Sequence, residues 1–184
     1  MTEISAENLN IKKVDGDIHK KFLRLAYQQA WNNSDDPLTK TGAVLVKDGE
    51  VIAQAENHFP KGIKYPEKFN GDNDPKERTW ILKHIVHAEP AVVHAAAKKG
   101  VSTEGTTIYM PWIPCTQCAL VIIDAGIKKL IGHKQMIMKT PPYWYETCCA
   151  AIDILKKGGV ELLIYDGKIG DCKALMEEHG EWEP

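Results

Sequence analysis

Four residues in two short segments carry the chemistry available to this chain. His87 and Glu89 stand in His87-Ala88-Glu89, and Cys115 and Cys118 in Pro114-Cys115-Thr116-Gln117-Cys118. One imidazole and two thiolates suit a tetrahedral zinc ion whose fourth position is left for water. A structural zinc site closes with a fourth protein ligand, so an open position points to catalysis. Zinc in such a site lowers the pKa of its water to about 7. The Glu89 carboxylate, two residues from the imidazole, can take a proton from that water and deliver it elsewhere. The donor set implies Zn2+ as cofactor, His87, Cys115 and Cys118 as its ligands, and Glu89 as the catalytic acid and base. Two alternatives stand at this level: buried thiols beside a core histidine, or a closed structural site with Cys148, Cys149 or His94 as fourth ligand.

These residues are far apart in sequence and meet only if each half-motif opens a helix. Cys115 and Cys118 are about one turn apart, so both sulfurs can face one ion, and a helix N-terminus favours the thiolate form. Helices are expected from about Glu89 to Lys99, with Pro90 in the first turn and Gly100 stopping it, and from Thr116 to Ala125, closed by Gly126. Strands are expected at Thr106–Met110, Lys129–Gly132 and Val160–Tyr165, and a helix at Tyr145–Lys157. Upstream, Asp17 can cap a helix in which Ile18, Phe22, Leu25, Ala26 and Gln29 recur at helical spacing, ending near Asn32-Asn33. Gly42–Lys47 and Glu50–Gln54 read as a hairpin turning at Asp48-Gly49. Residues 56–79 carry Pro60, Gly62, Pro66, Gly71 and Pro75 with little periodicity and read as a long loop. Asp171–Glu178 reads as a last helix. A hairpin followed by alternating helices and strands gives a mixed sheet covered on both faces.

The 184 residues fit one domain, 16–184, behind a polar N-terminal arm, 1–15. Lys and Arg number 23 against 25 Asp and Glu, so the formal charge of −2 offers no global field for nucleic acid or anionic lipid. No apolar run approaches the roughly 20 residues that span a bilayer, and no secretory signal is visible. Five cysteines, two claimed by a metal motif, favour a reducing, cytoplasmic setting over a disulfide framework. Cys148-Cys149 and Cys172 read as ordinary thiols. His84 and His94 flank the motif without completing a second ligand set.

On these residues the chain resembles the cytidine and deoxycytidylate deaminase superfamily, and within it the deoxycytidylate (dCMP) deaminase branch. His-x-Glu followed by Pro-Cys-x-x-Cys is the signature of zinc nucleobase deaminases. The resemblance runs from about Gly42 to Tyr165. It is carried by His87-Ala88-Glu89, by the segment from Thr106 to Ala119, and by Ile122-Ile123-Asp124-Ala125-Gly126-Ile127, which is similar to the branch's Ile-Ile-x-Ala-Gly-Ile run. It implies a cytidine deaminase-like α/β fold, a mixed five-stranded sheet in three α/β/α layers. It also implies a homo-oligomer with pockets near subunit contacts, and zinc-dependent deamination of a free pyrimidine nucleotide, dCMP to dUMP plus ammonia. Deamination of another base, a nucleoside or a tRNA adenosine keeps the same chemistry on a different substrate. A zinc-stabilised interaction module is the non-catalytic alternative, and Glu89 disfavours it.

Asn57-His58-Phe59-Pro60-Lys61-Gly62 stands where the branch has Asn-Gly-x-Pro-x-Gly. The resemblance implies that Asn57 hydrogen-bonds the sugar, with His58 and Phe59 beside it. Lys61 could meet a 5′-phosphate as a point charge. Ala88, Trp112 and Pro114, next to the ligands, are expected to line the base pocket, and Tyr143 and Trp144 to wall it or stack on the base. The chain departs from the branch after the triplet, with Pro90-Ala91-Val92-Val93 in place of x-Asn-Ala-Ile, so Ala91 removes an amide beside the site.

Overall fold

A computed structural model describes residues 11–70 and 74–184. The chain runs β1 (Lys12–Val14), α1 (Asp17–Asn33), β2 (Gly42–Lys47), β3 (Glu50–Glu56), α2 (Pro75–His84), α3 (Ala88–Lys98), β4 (Thr107–Tyr109) and α4 (Thr116–Asp124). It continues through β5 (Lys129–His133), α5 (Lys134–Met138), a 3-10 turn (Pro142–Trp144), α6 (Tyr145–Lys157), β6 (Glu161–Tyr165), β7 (Ala174–Met176) and β8 (Gly180–Trp182). Six strands form one sheet in the order β1-β6-β5-β4-β2-β3. Strands β4, β5, β6 and β1 are parallel, and β2 is antiparallel to both β3 and β4. Helix α1 covers β2 and β3, while α3, α4 and α6 pack against one another and the sheet, giving the expected three layers.

The sheet has six strands where five were expected. The additional one is β1, which falls within the segment expected as an arm and pairs with β6 through Lys12–Leu163, Lys13–Ile164 and Val14–Tyr165. Ile11 before it is buried in the core. Three residues, two of them lysines, between Ile11 and Asp15 are too short to show strand periodicity in sequence. Residues 1–10 of that arm lie outside the described residues.

Helix α1 buries Phe22, Leu23, Ala26, Tyr27 and Ala30, and its N-cap is Gly16 rather than Asp17, which lies in the first turn. It rests so closely on β2 that a Cβ at Gly42 would overlap the Ala26 carbonyl oxygen. The Asp48-Gly49 turn has φ of 51° and 82°, the left-handed pair that a tight hairpin needs. Helices α3 and α4 start where the half-motifs require, with His87 and Cys115 as their N-caps. Two expectations fail. Within the supposed loop at 56–79, helix α2 begins at Pro75, capped by Asp74, whose side chain accepts from Lys76 N and Glu77 N. Residues 171–178 are not a helix: Ala174–Met176 pairs antiparallel with Gly180–Trp182, and Glu178 and Gly180 take the positive φ of the turn.

Candidate active site

His87, three residues after α2, and Cys115, in the stretch after the interior strand β4, are the N-caps of helices that pack against each other. Their side chains therefore meet at two adjacent helix N-termini, with Cys118 one turn into α4. His87 Nδ1 lies 3.4 Å from Cys118 Sγ and 3.7 Å from Cys115 Sγ, and the three donor atoms fall within 4.8 Å of one another. A tetrahedral zinc ion with its usual Zn–N and Zn–S lengths sets such nitrogen–sulfur edges at about 3.6 Å. The donors thus fit the ion in both type and spacing. Among the described residues this is the one such group of three, and Cys148, Cys149 and His94 stay outside it. A fourth protein ligand of the kind a structural site needs is not in the cluster.

The electrostatics agree. The Cys118 thiol and the His87 ring donate to Cys115, which draws the Cys115 thiol down to about 4 despite its burial. Cys118, as the donor, is pushed up by the same hydrogen bond and by burial. A divalent cation between them lets both act as thiolates. The hydrogen bond to Cys115 raises the His87 pKa against the opposing effect of burial. Glu89, in the first turn of α3 and 5% exposed, is pushed up by burial and hydrogen-bonded to Cys118.

A cavity opens on this cluster, with His87, Glu89 and Cys115 in its wall. Trp112 and Trp144 line it, and so does Asn57. Trp144 lies edge-on to both His87 and Trp112, with ring centroids 6.2 and 5.8 Å away. Ala88 is fully buried behind the cluster, and Pro114 is buried immediately before Cys115.

The remaining candidates lie elsewhere. His58 turns its Nδ1 to the Glu56 carbonyl, and Phe59 belongs to a separate apolar cluster with Leu38 and Ile81. Lys61 is exposed and Tyr143 is 53% exposed, and neither lines the cavity. The Asn57 amide is spent on the protein: Oδ1 accepts from Ser34 Oγ (2.6 Å) and Thr41 N (2.9 Å), and Nδ2 donates to Thr39 O (2.8 Å) and Asp36 Oδ2 (3.3 Å). It fastens residues 34–41 as a polar wall of the cavity. Sequence reasoning missed that wall, which includes Asp36, Thr39, Thr41 and Arg78. For α2, which carries Arg78, a signal was present: Asp74-Pro75-Lys76-Glu77 is an N-cap, a Pro at N1 and an acidic N3.

Fold and cluster together define an α/β protein with an open His-Cys-Cys metal centre and a buried carboxylate beside it. The chain belongs to the cytidine and deoxycytidylate deaminase family: the profile described as "Cytidine and deoxycytidylate deaminase zinc-binding region" matches residues 17–134. It is 37% identical over 157 residues to the deoxycytidylate deaminase of Enterobacteria phage T2, covering 67% of this chain and 79% of that one. It is 30% identical over 131 residues to a probable deoxycytidylate deaminase of Caenorhabditis elegans, covering 69% of this chain. The chain spans 64% of the C. elegans protein's length. Among solved structures it is similar to the dCMP deaminase of cyanophage S-TIM5 in complex with dCMP and dUMP, at 25% identity and a TM-score of 0.59, covering 82% of this chain and 98% of that one. No helix among the described residues is long and apolar enough to cross a membrane.

Proposed function

We propose that this chain is a zinc-dependent hydrolytic deaminase of a free pyrimidine nucleotide, converting dCMP to dUMP and ammonia. The observation that carries the proposal is the convergence of His87 Nδ1 and the two sulfurs on one point, with the Glu89 carboxyl buried beside them in the cavity wall. His87, Cys115 and Cys118 hold the ion, and when bound it supplies Lewis acidity to the attacking water. Glu89 takes one proton from that water and gives it to the ring nitrogen next to the reacting carbon. It then takes the second from the oxygen now joined to that carbon and gives it to the departing amine, leaving a carbonyl and ammonia. Its burial suits both roles, because a carboxyl whose pKa is raised is a stronger base toward the water and is more often protonated near neutral pH than one in bulk water. Trp112 and Trp144 provide two aromatic surfaces for the flat base, and Trp112 is fixed by its indole N–H donating to Thr140 Oγ1 at 2.8 Å.

The nucleotide as substrate is supported by the phage T2 relative and by the ligands named for the cyanophage enzyme. Ammonia release from zinc-loaded protein, screened across cytosine, adenine and guanine as bases, nucleosides and nucleotides, tests the proposal. Turnover is expected with dCMP ahead of every purine compound. Turnover of a purine compound with none of dCMP, dCTP, deoxycytidine or cytosine would overturn it.

A further inference from the structure

The cavity beside the metal cluster has one arginine and no lysine in its wall, and that arginine is Arg78. It comes from α2, the helix hidden in the proline- and glycine-rich stretch. Its side chain is 12% exposed and is gripped from two sides. Nη1 lies 3.3 Å from Oδ2 of Asp36 in the 34–41 wall, and Nε lies 2.9 Å from Oε2 of Glu177, just beyond β7. Both carboxylates are 2% exposed. Nη2 has no protein partner among the described residues.

Two carboxylates meet this one guanidinium through Nη1 and Nε, and neither contact occupies Nη2. Burial holds the Glu177 carboxyl up to about 7, and its Oε1 has no donor, so near neutral pH this acid carries only part of a charge. The Nε contact is an ion pair without hydrogen-bond alignment. Arg78 lines the same cavity as His87, Glu89 and Cys115, so it shares the space onto which the metal cluster opens. Glu177 is itself fixed: its N–H donates to Thr39 Oγ1 at 3.2 Å, and Lys40 N–H donates to the Leu175 carbonyl at 3.0 Å. The C-terminal hairpin is thereby stitched to the polar wall and acts as the anchor for a cation in the cavity.

A planar guanidinium with one edge free and the others held is suited to a phosphate oxygen. We propose that Arg78 recognises the phosphate of the nucleotide through Nη2, and that Glu177 is the positioning residue that aims it. This rests on the nucleotide reading above, and it moves the phosphate contact from the exposed Lys61 to a residue on α2, within the stretch expected as a loop.

Steady-state kinetics of zinc-loaded wild type, Arg78→Gln and Arg78→Lys on dCMP and on deoxycytidine, which lacks the phosphate, test it. The ratio of kcat/KM for dCMP over deoxycytidine is expected to fall about 10- to 100-fold in Arg78→Gln, chiefly through KM. Glu177→Gln should move the ratio the same way by a smaller factor, again through KM rather than kcat. Should Arg78→Gln fail to fold or to hold zinc, Arg78→Lys decides, since it keeps a cation but loses the fork. Its ratio should fall at least about threefold. A wild type without preference for dCMP overturns the nucleotide reading and this inference with it. A wild type that prefers dCMP, with a preference surviving within about twofold in the folded Arg78 variants, overturns the assignment of Arg78 alone.

Discussion

Replacing Glu89 with Gln separates a catalytic carboxyl from one that merely fills space. Glu89 is 5% exposed and sits in the first turn of α3. Gln has nearly the same volume, so no cavity opens. The packing cost is therefore small, under about 1.5 kcal/mol, and the His87, Cys115 and Cys118 donors are left in place. What is lost is the proton carrier between water, ring nitrogen and amine. Positioned general acid–base catalysis contributes about 10²- to 10⁴-fold, or about 3 to 5 kcal/mol of barrier. Glu89→Gln is thus expected to reduce kcat on dCMP by at least about two orders of magnitude while zinc content and melting temperature stay close to wild type. Ammonia release, metal analysis and thermal melting on the same preparation check all three. A variant that retains kcat within about tenfold, with zinc bound, would refute the role given to Glu89.

Two further expectations concern stability. Gly42→Ala drives a methyl group into the Ala26 carbonyl oxygen of α1, and overpacking of this kind costs about 1–3 kcal/mol, or several degrees of melting temperature for a chain of this size; a melting temperature equal to wild type would contradict the close approach of α1 to β2. The Glu177 carboxyl is raised from 4.5 to about 7 by burial, against the pull of Arg78. The folded chain therefore holds that proton more tightly than the unfolded chain, so the stability it contributes is complete below about 4.5 and is lost as pH rises through about 7. Glu177→Gln cannot titrate, and wild type should lose stability relative to this variant across that window, by at most about 3 kcal/mol. Parallel melting curves from pH 4.5 to 7.5 would refute it.

The parts of the molecule legible in sequence are those set by local rules. The two half-motifs, their helix starts, the Asp48-Gly49 hairpin and the apolar face of α1 are written in residues a few positions apart, and the structure has them where those rules put them. Strand β1 was not legible because three residues gain their identity only by pairing with β6, which is formed some 150 residues later. The C-terminal hairpin was misread because Asp171–Glu178 has helical composition, and what decides it is the turn at Glu178 and Gly180 and the inward ion pair of Glu177. The same long range hides the polar wall. Asn57 was singled out for a sugar contact, yet its amide is consumed by Ser34, Asp36, Thr39 and Thr41. Arg78 gave no sign, since Asp36 stands 42 residues before it and Glu177 near the far end of the chain. Metal donors advertise themselves by type and spacing, whereas the residues that surround a substrate are assembled by the fold.

The most direct test of the account is dCMP turnover measured against zinc content. Protein stripped with a chelator and titrated with zinc should gain ammonia-releasing activity in proportion to bound metal and saturate at one ion per chain, with Cys118→Ser retaining neither metal nor activity. Full activity in the stripped protein, or undiminished activity in Cys118→Ser, would contradict the claim that His87, Cys115 and Cys118 form the centre where the reaction occurs.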